Sequence, residues 1–464
     1  MASRNGFATS KRFHLVLVPG FGGFDALGKV EYYAGITRVF QRWRAGKPVV
    51  LHYFDNLPTA AVVTRATRLQ SYLAKRMARG EILEDDEVIL VGHSTGGLDI
   101  RQLISDLHRS KGLDVPVDGG VPVKCDEIRK RVHRVVFLSV PHWGTNIADW
   151  VHSHSCLRKA IVTEMCAAVA GSQVGLLDQI EVGVAGAAVC ITAADLPRAV
   201  QDALAEANEC YGEPSPQRTT EAHEAASDLA LYVREMASNF QVIEDLTSQR
   251  YQGQKSPAHF DAEQRNQERK QWSDPKIETL SYATVGRSPF RFLTGRPAPV
   301  WDLTNPCAYP EVSKDPQLSA HTDIFYRLCY RACAGGPFER PDQGGELTRR
   351  LNGAPHGPLE LWDNDGIVNT LSMLWRDCEN VLVAADHLDI VGHYKLAKVR
   401  RDRRVESGRR PGREYQSYDS LKSDSPFSDK TFEQVWTEIF NFAVGKTNTT
   451  GREAMSSLTS AVKL

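Results

Sequence analysis

The sequence lacks a long apolar run, an apolar leader segment and a series of closely spaced cysteines. Its longest nearly uncharged stretch of small and apolar residues, Val182–Ala194, is well short of the about 20 residues that cross a bilayer. Residues 1–12 are polar and lead directly into an apolar segment, without the core of a signal peptide. The nine cysteines include no Cys-x-x-Cys pair. We therefore expect no transmembrane span, no disulfide framework and no cysteine zinc site, and a cytoplasmic location.

The chain also lacks an excess of charge of either sign. Its 464 residues carry 56 Lys and Arg against 57 Asp and Glu, a formal net charge of -1. Such a balance gives no overall field toward nucleic acid, and no nucleic-acid partner is expected. The basic run 398–413 contains no aromatic residue that could stack on a base. It predicts a solvated, mobile loop that continues to about residue 430.

Short β-branched runs bounded by glycine or proline alternate with helical patterns, which is typical of a parallel sheet with crossover helices. The candidate strands are 13–18, 49–54, 88–91, 135–140, 279–285 and 380–384, and the clearest helices are 61–79, 98–109 and 431–443. The strand signal stops after residue 150, where Ala-rich, mostly helical sequence follows. This organisation predicts an α/β core in residues 1–150 and 277–445, a helical cap insertion in 151–276, and a flexible tail in 446–464.

The pentapeptide Gly-His-Ser-Thr-Gly at 92–96 follows a candidate strand directly and precedes a candidate helix. A G-x-S-x-G sequence in this context predicts a nucleophile elbow, with Ser94 on a strained turn between the strand and the helix. The Gly-rich turn 19–23 after the first strand could supply a second backbone donor. The N–H groups of Phe21 and Thr95 are therefore the candidate oxyanion hole. A phosphate-binding loop is disfavoured, because Asp25 occupies the last glycine position of G-x-G-x-x-G.

A nucleophilic serine needs a histidine base and a carboxylate that orients it, and in this type of fold they follow in the order Ser, Asp or Glu, His. The turn-rich segment 362–369 makes Asp365 the candidate acid, with Asp363 as the alternative. His387 lies in the loop after the last core strand and is the candidate base, with His393 in reserve. The sequence thus predicts a triad of Ser94, Asp365 and His387.

Several of these segments resemble one family, and the likeness covers residues 16 to about 392 in patches. They are Gly-Phe-Gly-Gly at 20–23, Tyr-Tyr-Ala-Gly at 32–35, the elbow with its next glycine at 92–97, Pro-His-Trp-Gly-Thr at 141–145, Leu-Ser-Tyr-Ala-Thr at 280–284, Asn-Asp-Gly-Ile-Val-Asn-Thr at 364–370 and Asp-His-Leu-Asp at 386–389. On these motifs the chain resembles the α/β-hydrolases, and more narrowly the thermoalkalophilic bacterial lipases. The resemblance implies the same triad and the same two oxyanion donors.

The metal sites of that family are matched poorly. Its structural zinc is bound partly by two histidines before the elbow, and no histidine lies between His52 and His93 here. Of two acids in its calcium site, one is matched by Asp389 and the other is replaced by Tyr394. We expect neither metal nor cofactor. An unrelated metal site formed by His142, His152 and His154 with Asp149 is the less favoured reading of that polar segment.

The Ala-, Val- and Gly-rich segment 161–204 is typical of small-residue helices over an apolar ligand. The predicted function is a lipase-like serine carboxylesterase that cleaves an ester or lactone with an apolar moiety. Its expected partner is such a small molecule, with transient contact to a lipid surface. The alternatives are a thioesterase, lactonase or acyltransferase on the same triad, or a non-catalytic ligand receptor with this fold.

Overall fold

A computed structural model provides the structure of the chain. It describes residues 11–27, 30–43, 48–153, 241–248, 256–273, 275–287, 324–338, 344–351, 354–396, 401–403, 414–416 and 419–446.

A seven-stranded sheet forms the centre of the molecule. Its strands are β1 (Phe13–Val18), β4 (Val49–Tyr53), β5 (Glu87–His93), β8 (Val132–Leu138), β9 (Glu278–Val285), β10 (Arg349–Arg350) and β11 (Glu379–Ala384). They lie in the order β10-β11-β9-β8-β5-β1-β4, and every neighbouring pair is parallel. The chain runs from β1 to β4 on one side and then to β5 on the other, which creates a crevice at the carboxyl ends of β1 and β5. The predicted α/β-hydrolase fold is confirmed.

Helices cover both faces of the sheet. They are α1 (Ile36–Trp43), α2 (Val62–Ala78), α3 (Thr95–Arg109), α4 (Cys125–Arg131), α5 (Asn146–Ser153), α6 (Val242–Asp245), α7 (Ala262–Ser273), α8 (Ile324–Cys333) and α9 (Asp429–Ala443). Successive strand residues point to opposite faces. Leu15 and Leu17 of β1 therefore pack in the same core as α1 and α9, whereas Val16 and Val18 pack in the core formed with α2 and α3.

The structure differs from the sequence-based boundaries at several points. Strand β8 begins three residues before the predicted start and ends before Ser139, whose φ of 51° turns the backbone out of the strand. Helix α3 starts at once after Ser94 rather than near Leu98. In the polar segment 254–276, where the cap was expected to close, α7 forms with Glu268 fully buried.

Two short strands form within the segment 398–430, which the sequence predicts to be a mobile loop. Strand β12 (Arg401–Arg403) pairs antiparallel with β13 (Glu414–Gln416), and β13 extends β3 (Val30–Glu31), which pairs with β2 (Ala26–Leu27). Charge and composition indicate solvation, but they do not reveal that a neighbouring strand edge offers backbone partners. A separate hairpin joins β6 (Asp114–Val115) to β7 (Val123–Lys124).

The chain just before α5 and the chain that follows residue 240 meet beside the sheet. The N–H of Thr145, just before α5, donates to the carbonyl oxygen of Leu246 at 2.9 Å. Asp245 Oδ2 accepts from the N–H of Val62 at 2.7 Å, so the returning chain caps the start of α2. The central part of the predicted cap, 154–240, and the tail after residue 446 lie outside the described residues. None of the helices in the described ranges has the length and hydropathy of a membrane span.

Candidate active site

Ser94 lies on a strained turn between β5 and α3. Its φ of 52° and ψ of −129° are unusual for a residue with a side chain, as the elbow motif predicts. Both flanking positions require glycine, because a side chain there would collide with neighbouring backbone atoms. A Cβ on Gly96 would lie 2.3 Å from the carbonyl oxygen of Val18, and one on Gly92 would lie 2.7 Å from the amide nitrogen of Gly97. The turn therefore holds Ser94 at the start of α3, where the helix dipole favours negative charge.

The turn after β1 passes directly against the elbow. A Cβ on Gly20 would lie 2.5 Å from Cβ of Ser94, so only glycine allows this approach. The next residue is Phe21, whose N–H is one of the two predicted oxyanion donors. Thr95, which carries the other, is fully buried as the first residue of α3. The structure thus brings the turn of Phe21 and the nucleophile elbow together.

A buried ion pair links this turn to α3. Arg65 Nη2 donates to the carbonyl oxygens of Pro19 at 2.8 Å and Gly20 at 3.0 Å, and the same nitrogen lies 2.9 Å from Oδ2 of Asp99 on α3. Both side chains are fully buried. Burial raises the pKa of Asp99 to about 6, with the positive charge of Arg65 opposing the rise. One guanidinium therefore ties the Phe21 turn to the helix that begins at Thr95, a contact that sequence reasoning missed.

Asp365 and His387 form a buried hydrogen-bonded pair. Nδ1 of His387 lies 2.7 Å from Oδ2 of Asp365, and the exposed fractions of the two residues are 3% and 0%. The other carboxylate oxygen, Oδ1, accepts from the N–H groups of Ile367 at 3.0 Å and Val368 at 2.8 Å. The N–H of His387 also donates to the carbonyl oxygen of Asp365 at 3.1 Å. Side-chain and backbone bonds together fix the orientation of the imidazole.

Thr284 at the end of β9 supports the acid and was not singled out as a site residue. Its Oγ1 donates to Oδ2 of Asp365 at 2.6 Å and lies 2.8 Å from Oγ of Ser139. The signal available in the sequence was its position at the carboxyl end of a core strand, inside the motif 280–284. The Asp365 carboxylate therefore receives hydrogen bonds on both oxygens, which holds it in place.

The two reserve residues have other contacts. Oδ2 of Asp363 accepts from the N–H of Glu360 at 2.8 Å. Nε2 of His393 lies 3.0 Å from the carbonyl oxygen of Tyr32. His93, which precedes the proposed nucleophile, contacts the loop of His387: its Nε2 lies 2.8 Å from the carbonyl oxygen of His387. The structure thus pairs His387 with Asp365, places the loop of His387 against residue 93, and gives Asp363 and His393 other contacts.

The residues present do not fit the calcium site that the family resemblance implies. Oδ2 of Asp389 accepts two hydrogen bonds, from the hydroxyl of Ser425 at 2.5 Å and from the backbone N–H of Asp386 at 2.8 Å. Both partners are donors, which a cation would have to displace. The hydroxyl of Tyr394 donates to Asp429. Across the described ranges, no group of three or more His, Cys, Asp or Glu side chains could hold a metal ion.

The alternative metal site around His142 is not assembled in the described residues either. The ring of His142 is fully buried against Phe137 and Trp375, with ring centroids 4.6 and 4.5 Å away, and burial lowers its pKa well below the usual value. Asp149 accepts from the N–H of Ser248 at 2.8 Å. Of the two other members of that set, His152 lies on α5 and His154 lies outside the described residues.

Comparison with known proteins gives a likeness at the level of structure. No protein-family model and no curated protein matches the chain. Similar solved structures include Staphylococcus hyicus lipase, with 14% identity over 95% of this chain and 97% of that chain and a TM-score of 0.37. EstA from Clostridium botulinum has 18% identity, coverage of 84% and 85%, and a TM-score of 0.40. Lipase 1 from Pelosinus fermentans has 15% identity, coverage of 82% and 93%, and a TM-score of 0.39. The fold assignment therefore depends on this chain's own strand order and connections.

Proposed function

We propose that the chain is a lipase-like serine carboxylesterase that uses Ser94 as nucleophile, His387 as base and Asp365 as the acid that orients it. The observation that carries this proposal is the buried hydrogen bond between His387 Nδ1 and Asp365 Oδ2, at 2.7 Å, in a loop whose carbonyl contacts the residue before Ser94. The strained backbone of Ser94 supports it, because such strain persists where the surrounding structure holds a functional residue in place.

The reaction follows from the proton positions that this arrangement favours. Asp365 accepts from Nδ1 of His387, which leaves Nε2 free of a proton and able to take one from Oγ of Ser94. The serine oxygen then attacks an ester carbonyl, and the N–H groups of Phe21 and Thr95 stabilise the oxyanion. His387 returns the proton to the departing alcohol. Water, deprotonated by the same histidine, cleaves the acyl-enzyme and releases the acid.

The substrate that we propose is an ester or lactone with an apolar moiety, since the sequence of the predicted cap is rich in small apolar residues. The test is hydrolysis of p-nitrophenyl esters graded from acetate to palmitate. Ser94→Ala should lower kcat by at least about 10⁴-fold. Ser105→Ala is the matched control, because Ser105 is a buried serine on the same helix whose hydroxyl accepts from Arg109. Undiminished activity of Ser94→Ala would contradict the assignment.

Two further measurements separate the alternatives. Faster product formation when alcohols, amines or thiols are added would indicate acyl transfer rather than hydrolysis. A protein that turns over no ester and fails to react with an active-site phosphonate would be a ligand receptor. A chelator should leave turnover unchanged, since no metal takes part in the proposed reaction.

A further inference from the structure

A continuous path of buried hydrogen bonds runs past Ser94. The N–H of Gly20 donates to Oη of Tyr32 at 2.8 Å, and this hydroxyl lies 2.7 Å from Nδ1 of His93. Nε2 of His93 lies 2.8 Å from the carbonyl oxygen of His387. Tyr32 is 6% exposed and His93 is fully buried. The path thus joins the turn before Phe21 to the backbone of the proposed base.

The direction of each bond in the path is determined. A carbonyl oxygen only accepts, so Nε2 of His93 must carry the proton that it donates to His387. In a neutral imidazole Nδ1 then accepts, and the hydroxyl of Tyr32 must donate to it. The oxygen of Tyr32 remains an acceptor for the N–H of Gly20. Burial lowers the pKa of His93 well below its usual value and raises the pKa of Tyr32, so both groups stay neutral.

We propose that Tyr32 and His93 are positioning residues, which hold the oxyanion donor Phe21 and the base His387 at a fixed separation around Ser94. The inference rests on the proposed function and adds to it two residues that act through others. Each end of the path is a backbone group, at Gly20 on one side and at His387 on the other. Loss of the path would let the turn and the loop move independently, and a displacement of about 1 Å at a reacting group can cost about 100-fold in rate.

The neighbouring Tyr33 gives a matched control for Tyr32. Its hydroxyl is also buried, and it donates to the carbonyl oxygens of Val18 at 2.7 Å and Val91 at 3.2 Å. These acceptors belong to β1 and β5, and neither is a donor or a base in the proposed reaction. A Tyr-to-Phe change at either position removes one buried hydroxyl with two partners. The two variants should therefore lose similar stability and differ in catalysis.

The experiment compares Tyr32→Phe and Tyr33→Phe with the intact protein on the same p-nitrophenyl esters. For Tyr32→Phe we expect kcat to fall about 10- to 100-fold, with KM changed less than about threefold. For Tyr33→Phe we expect kcat within about threefold of the intact protein and a similar decrease in Tm. Equal kcat values in the two variants would overturn the positioning role of Tyr32.

Two substitutions of His93 test the two links separately. In His93→Gln the amide nitrogen takes the place of Nε2 and keeps the bond to His387 while the link to Tyr32 is lost. In His93→Asn the amide oxygen takes the place of Nδ1 and keeps the bond to Tyr32 while the link to His387 is lost. The acid limb of the pH profile of kcat/KM should shift in His93→Asn and remain unchanged in His93→Gln, because only the asparagine releases the loop of His387. Identical profiles would overturn the role of His93.

Failure of this inference can be distinguished from failure of the proposed function. If the intact protein hydrolyses esters and reacts with a phosphonate at Ser94, but its Tyr32 and His93 variants behave like Tyr33→Phe, only the positioning roles are overturned. An intact protein that neither hydrolyses an ester nor reacts with the phosphonate overturns both.

Discussion

Helix α3, which follows the proposed nucleophile, and the loop that carries the proposed base are both buried, but their ionisable groups differ. On α3, Asp99 is paired with Arg65 at 2.9 Å, and Arg101 is paired with Glu268 at 2.8 Å. All four side chains are fully buried. Both of these buried carboxylates thus have a guanidinium as their partner.

The loop of His387 instead contains two buried carboxylates held by neutral donors. Asp386 and Asp389 are 0% and 1% exposed, and each accepts from a hydroxyl at 2.5 Å, that of Ser423 and that of Ser425 respectively. Burial, with the nearby charge of Asp419, raises the pKa of Asp386 to about 7. Burial and the charge of Asp386 raise the pKa of Asp389 as well.

The difference predicts how each region fails. Guanidinium groups keep their charge at every pH at which the protein folds, and Arg65 opposes the rise in the pKa of Asp99, so the clusters on α3 are more sensitive to the loss of a partner than to pH. Two carboxylates in one low-dielectric site cannot both ionise without cost, so the His387 loop is sensitive to rising pH. Substituting single carboxylates in or beside the two regions therefore tests this difference.

The largest effect is expected from Glu268→Gln on α7. Glu268 accepts from Arg101 and also from Arg376, whose Nη2 lies 2.9 Å away. Removing its charge leaves two buried guanidinium groups without a counter-charge, and the free energy of unfolding should fall by about 3–5 kcal/mol. Denaturant unfolding at neutral pH measures it. The control is Glu278→Gln, because Glu278 pairs with Arg134 but is 54% exposed, so its loss should be below about 1 kcal/mol. Equal losses would contradict the distinction between buried and exposed pairs.

Much of the fold followed from local sequence, and parts of the site did too. Periodicity predicted the core strands, and the motif at 92–96 predicted the strained turn of Ser94, because both depend on neighbouring residues. The role of Glu268 could not be predicted, since α7 is polar apart from Ala262 and Trp272, near its two ends, and such a pattern indicates exposure. The contact between Tyr32 and His93 could not be predicted either, because these residues are 61 positions apart in the sequence. These contacts depend on how distant segments meet, and no local pattern encodes that.

A smaller effect, of opposite sign, is expected from Asp386→Asn. Because the pKa of Asp386 is raised in the folded protein, folding loses stability as pH rises from the usual aspartate range to about 7, and the full penalty is present above that. The asparagine cannot ionise, and its amide can still accept from the backbone at Leu388 and donate to Ser423. The variant should therefore be more stable than the intact protein at pH 8, by about 1–3 kcal/mol, and closer to it at pH 5.

The measurement is the free energy of unfolding between pH 5 and pH 8, with a chelator present in every sample. The removal of the charge at position 386 should also bring the pKa of Asp389 closer to its usual value, which flattens the curve further. Curves that stay parallel over the whole range would show that the buried carboxylates are not the source of the pH sensitivity.

The smallest effect is expected from Asp424→Asn, in the segment that faces the same loop. Asp424 lies between the two serines that donate to Asp386 and Asp389, but its side chain is 38% exposed and pairs with Arg287 at 3.1 Å. Its φ of 54° is in the left-handed region, which asparagine tolerates well. The free energy of unfolding should change by less than about 0.5 kcal/mol, with the same dependence on pH as the intact protein. If this exposed carboxylate altered the pH dependence as strongly as Asp386 does, the position of the segment would be responsible. If it does not, burial without a cation is what makes the loop of the proposed base sensitive to pH.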